Sequence, residues 1–147
     1  MGQDQKQENK TMGRHEQRMQ ALDFVFESMF RDDSTEDAFE DAFHARDVQV
    51  GEYAEKLILG VREHLPELDG LIEANLKGWK KNRIARISLT ILRIAVFEML
   101  YAEDVPVSVS INEAVELAKS YATAEDGAFV NGVLGSISKT LEKRGEA

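Results

Sequence analysis

The sequence contains no cysteine, only two prolines (Pro66 and Pro106), and no apolar run approaching the roughly 18–20 residues of a membrane span. Each absence excludes something. Without cysteine there are no disulfides, thiol nucleophiles or thiolate metal sites, which fits a cytoplasmic protein. The N-terminus is polar rather than a charged-then-apolar leader, so no membrane association is expected. Scarce proline together with 43% hydrophobic residues excludes a low-complexity chain outside the ends. A length of 147 residues suits one folding unit, or two small subdomains sharing a core.

Recognisable reaction chemistry is also missing. There is no nucleophile elbow and no phosphate-cradling glycine loop. His15, His44 and His64 lie far apart, and none has a metal-ligand partner at i+4. The acids of residues 32–47 lack the calcium-loop pattern and read as a solvated face. The expectation is a protein without catalysis, metal or cofactor.

Positive charge is scarce overall, with 18 Lys and Arg against 27 Asp and Glu, a net −9. Taken alone, that balance argues against a nucleic-acid partner, because phosphate binding needs local positive potential. The charge is unevenly distributed, however. Asp32, Asp33, Glu36, Asp37, Glu40, Asp41 and Asp47 against Arg46 leave −6 within residues 32–47. Residues 76–93 hold Lys77, Lys80, Lys81, Arg83, Arg86 and Arg93 and no acid, so a basic patch on an acidic protein is compatible with the composition.

Apolar periodicity predicts an all-α fold of about seven helices in two helical subdomains, with no strand alternation and no internal repeat. Residues 1–12 are expected to form a flexible tail, 13–78 an N-terminal subdomain and 79–147 a C-terminal subdomain. Met19, Leu22, Val25, Phe26, Met29 and Phe30 fall at helical steps over 14–30. A short helix follows through Ala38, Phe39, Ala42 and Phe43, capped by Ser34 or Thr35. The next spans about 50–65, and Pro66 opens another through Leu76. Residues 84–101 are apolar nearly all round and predict a buried central helix, ended by Asp104-Val105-Pro106. Ser110 and Glu113 have capping-box spacing for a helix to about Tyr121, and Phe129 to Leu141 define the last helix.

Three clusters invite a binding role. Arg14 and Arg18 share a helix face beside His15, at a helix N-terminus that itself favours anions; the plainer reading is two solvated arginines offset by Glu16. Lys80, Lys81 and Arg83 suit contacts to a nucleic-acid backbone or simply a solvated linker beside a packed Trp79. Tyr121 and Phe129 suit base stacking, although their periodicity equally suits the core.

Two blocks carry a family likeness: Ser110-Ile111-Asn112-Glu113-Ala114-Val115-Glu116-Leu117-Ala118-Lys119 and Phe129-Val130-Asn131-Gly132-Val133-Leu134. Upstream stand Arg14-His15-Glu16-Gln17-Arg18, Ala21-Leu22 with Phe26, Asn82-Arg83-Ile84-Ala85, Ile91-Leu92-Arg93-Ile94-Ala95 and Asp104-Val105-Pro106. In this order and spacing, over residues 14 to about 141, the chain resembles the NusB family of bacterial transcription antitermination factors. The resemblance implies a non-catalytic adaptor. With NusE, a protein that doubles as a small-ribosomal-subunit component, it would bind boxA RNA and help RNA polymerase read through terminators during ribosomal RNA synthesis.

By the same resemblance, Arg14, His15 and Arg18 match the arginine-rich stretch that meets RNA phosphates. Lys119 and Phe129 match positions near the RNA surface, and Phe26 matches the aromatic that touches NusE. Two departures stand out. His15 replaces a common arginine, which implies weaker, pH-sensitive phosphate contact. Ser88 replaces an acid used at or near the NusE interface, so a charge contact is missing there. Two other classes remain open: a helical protein–protein module, and an RNA-binding domain like that of certain ribosomal RNA cytosine methyltransferases. For the latter, the chain is expected to lack room for a methyl-donor domain. Some family members form homodimers that cover the RNA surface, and the sequence leaves that state open.

Overall fold

The computed structural model describes residues 13–29, 50–78 and 83–143, and six helices lie among them. They are α1 (Arg14–Ser28), α2 (Glu52–Glu63), α3 (Leu65–Ala74), α4 (Arg86–Tyr101), α5 (Val107–Tyr121) and α6 (Ala124–Lys143). No strand occurs among the described residues, in line with the all-α expectation. The expected tail (1–12), the short helix over 34–43 and the start of the second subdomain at Trp79 lie outside the described residues.

The backbone divides into two compact units, Met1–Leu59 and Gly60–Ala147. In the first, α1 buries Ala21, Leu22, Phe24 and Val25, and the first turns of α2 bury Tyr53, Ala54, Leu57 and Ile58. Gly51, the residue before α2, has no side chain to cap the helix, and glutamines from α1 take over that role. Gln17 Oε1 accepts from the amides of Tyr53 (2.9 Å) and Ala54 (3.2 Å), and Gln20 Oε1 accepts from the Gly51 amide at 3.1 Å. These are amides that no residue within the helix can satisfy. A Cβ on Gly51 would lie 2.2 Å from Gln17 Oε1, so a larger residue there would displace the capping side chain.

The second unit is built on α4, where every residue from Ser88 to Met99 is buried, as expected of the central helix. α5 and α6 pack on α4 and on each other, and α3 packs on α4 and α6. Polar ties mark both junctions of α3. Arg93 donates two hydrogen bonds to Asp69 of α3, at 2.8 and 2.9 Å. Asn75, at the end of α3, accepts from Ser136 (2.8 Å) and Thr140 (3.3 Å) of α6. Pro66 occupies the first turn of α3, where its missing N–H costs nothing. Beyond Asn75 the chain leaves through left-handed Lys77 (φ 50°) and Gly78 (φ 93°), a conformation glycine adopts freely.

One expected helix start is corrected. α5 begins at Val107 with Pro106 as its N-cap, so Ser110 lies inside the helix and caps nothing. Its hydroxyl instead donates to Glu98 Oε1 at 3.1 Å, and Glu98 is only 1% exposed. A buried carboxylate needs such donors more than a helix end in water needs a cap. The capping pair lies at α6 instead: Thr123 Oγ accepts from the Asp126 amide (3.1 Å) and donates to Asp126 Oδ2 (2.7 Å).

Candidate nucleic-acid interface

The first unit gathers two of the expected cations on one aromatic ring. Arg14, Gln17 and Arg18 stand at i, i+3 and i+4, on one face of α1. The guanidinium carbon of Arg14 lies 3.9 Å from the centroid of Tyr53, and that of Arg18 lies 5.8 Å from it. Both fall within cation–π range, the nearer one in van der Waals contact with the ring. Their surroundings differ. Arg14 and His15 are exposed, whereas Arg18 is 4% exposed, not in solvent as the sequence suggests. Burial of a guanidinium requires partners, and the ring of Tyr53 is one of them. Phe26, lower on α1, is half-buried.

The second unit carries the other positions. Lys119, in the last turn of α5, is exposed; its stem runs beside Gly127 of α6, where a Cβ would meet Lys119 Cγ at 2.9 Å. Its ammonium stands 3.9 Å from Glu116, a loose solvent-exposed pair worth little. Phe129, two residues beyond Gly127, is half-buried, so Lys119 and Phe129 flank the same α5–α6 turn. Arg83 is exposed just before α4; Lys80 and Lys81 lie outside the described residues.

Ser88 is 1% exposed, and its hydroxyl donates to Asp126 Oδ1 at 3.4 Å. It presents no charge to a partner, and a carboxylate in its place would stand beside Asp126. Among the described residues, no neighbouring atom lies within 4 Å of a Cβ built on Gly132 or Gly135 of α6. Close helix packing therefore does not explain Gly132.

Sequence reasoning missed Gln17, Gln20 and Tyr53. The single local signal was Gly51 placed just before a helix without a capping side chain of its own. Among the described residues, no group of His, Asp and Glu is placed to hold a metal ion. No helix among them is long and apolar enough to cross a membrane.

Comparison with known proteins gives the arrangement a context. The model of the NusB family matches residues 15–139. The transcription antitermination protein NusB of Ruminiclostridium cellulolyticum is 43% identical over 132 residues, covering 87% of this chain and 90% of that protein. The solved structure of T. maritima NusB superposes with a TM-score of 0.75 at 34% identity, covering 86% of this chain and 91% of that one. A crystal structure of the antitermination factors NusB and NusE in complex with dsRNA gives 0.74 at 27% identity, covering 86% and 96%.

Proposed function

The chain belongs to the NusB family, and from that premise we propose that it is a transcription antitermination adaptor. It binds boxA-type RNA together with NusE and links that RNA to RNA polymerase, supporting ribosomal RNA transcription. The observation that carries this reading is the exposed Arg14 guanidinium at the start of α1, its carbon 3.9 Å over the centroid of the Tyr53 ring. Stacking uses the face of the guanidinium, and its N–H donors point along its edges, where phosphate oxygens are recognised.

Arg14 and His15 meet RNA phosphates in this reading, and buried Arg18 sustains the local positive potential. On the second unit Lys119 supplies charge and Phe129 a ring for stacking beside the α5–α6 turn. Arg83, with Lys80 and Lys81, contacts the RNA backbone without reading sequence. Phe26 touches NusE. Ser88, buried and neutral, leaves that contact without the acid used by relatives, so the NusE interface here rests on apolar surface. The adaptor makes and breaks no covalent bond; its work is to hold RNA and protein together.

Binding of labelled boxA-type RNA, with NusE present and over a series of salt concentrations, tests the phosphate role. Arg14→Ala is expected to weaken binding and to lower the slope of log affinity against log salt by about one unit. Equal affinity and slope in wild type and variant would remove α1 from the RNA interface.

A further inference from the structure

We propose that Tyr53 is a positioning residue for RNA binding, holding the Arg14 guanidinium in the orientation that meets a phosphate; this rests on the RNA-binding role given to α1 above. Tyr53 is held from two sides by the same helix. Its backbone amide donates to Gln17 Oε1 at 2.9 Å, and its ring face lies 3.9 Å from Arg14 and 5.8 Å from Arg18. Gln17 stands between the two arginines in sequence and fixes α1 against the first turn of α2. That docking sets the height of the ring beneath both cations. Gly51 leaves space for it, since a Cβ there would collide with Gln17 Oε1, Cδ and Cγ at 2.2, 2.5 and 2.9 Å.

The consequence concerns entropy and direction rather than charge. A surface arginine samples many rotamers and must be ordered when it binds. Tyr53 is 8% exposed and cannot swing away, so its ring is a fixed shelf on which the planar guanidinium is ordered beforehand. Lysine cannot use such a shelf in the same way, because its ammonium is compact and strongly hydrated.

The test is a double-substitution cycle on affinity for labelled boxA-type RNA in the presence of NusE, with thermal melting of each variant recorded alongside. Tyr53→Leu is expected to weaken binding about two- to fivefold, the size of an exposed cation–π contact. In the Arg14→Ala background it should add nothing. Tyr53→Phe, which keeps the ring, should restore the coupling. Arg14→Lys, at an exposed position that does not disturb folding, should fall between wild type and Arg14→Ala. An equal loss from Tyr53→Leu in both backgrounds would mean a purely structural role and overturn the inference, as would full affinity in Arg14→Lys. If Arg14→Ala itself changes neither affinity nor salt slope, the RNA-binding role of α1 fails, a result distinct from failure of positioning alone.

Discussion

Gly60→Ala and Gly132→Ala make one chemical change inside two helices of the same protein, and they should move stability in opposite directions. Replacing glycine by alanine in a helix interior ordinarily gains about 0.8–1 kcal/mol, because glycine loses more backbone freedom on folding. At Gly60 a Cβ would stand 2.1 Å from Phe97 Cζ, 2.3 Å from Cε1 and 2.7 Å from Cε2. Ordinary contact begins near 3.4 Å, so the ring must withdraw by at least about 1.3 Å, the difference of 3.4 and 2.1. It has nowhere to go: Phe97 is 4% exposed, with the Tyr101 ring centroid at 5.2 Å and that of His64 at 6.0 Å. Overpacking of a filled core costs about 1–3 kcal/mol, and more when the neighbours are rigid. With Phe97 enclosed, the upper part of that range, about 2–3 kcal/mol, applies, and subtracting the gain of about 0.8–1 kcal/mol leaves a net loss of about 1–2 kcal/mol for Gly60→Ala. At Gly132 no neighbouring atom of the described residues lies within 4 Å of the added Cβ, so the gain of about 0.8–1 kcal/mol stands uncancelled. Urea unfolding of the two variants beside wild type reads both signs, and thermal melting should separate them by roughly 2–4 °C per kcal/mol. A Gly60→Ala protein as stable as wild type would refute the packing argument.

Three further expectations follow from the second unit's polar ties. Asp69→Asn leaves Arg93 buried without its counter-charge and should cost about 3 kcal/mol in urea unfolding; a loss below about 0.5 kcal/mol would show the pair to be solvent-screened. Thr123→Ala removes the α6 cap and should cost about 1 kcal/mol, whereas Thr123→Ser should retain most of it. Ser88→Asp sets a second carboxylate against Asp126 and should lower the melting temperature. The pair Ser88→Asp with Asp126→Asn, which removes the second charge and keeps an oxygen to accept from Thr123, should recover most of it, and no recovery would place the cost elsewhere.

The parts of the fold legible in sequence are those whose cause is local. Pro66 marks a helix start because its missing amide hydrogen is tolerated there, and the stretch 88–99, apolar but for Ser88, Thr90, Arg93 and Glu98, marks the central helix because its apolar residues run all round it. Ser110 shows where local reading fails. Its spacing to Glu113 satisfies the capping pattern, yet its hydroxyl goes to Glu98, twelve residues away and buried. A side-chain cap forms instead one helix later, where Thr123 and Asp126 open α6. The candidate site divides in the same way. Arg14 and Arg18 are visible as an i, i+4 pair, but the burial of Arg18 and the ring beneath both depend on docking through Gln17, 36 residues from Tyr53. A glutamine that caps another helix leaves no mark in its own neighbourhood.

The central claim is that this chain joins boxA-type RNA to NusE. It is tested most directly by titrating labelled boxA-type RNA with the chain alone, with NusE alone and with both, beside a scrambled RNA of equal length. Weak binding by the chain alone is expected, with a marked gain when NusE is present and a preference for boxA over the scrambled sequence in that mixture. Unchanged affinity on adding NusE, for both RNAs, would contradict it.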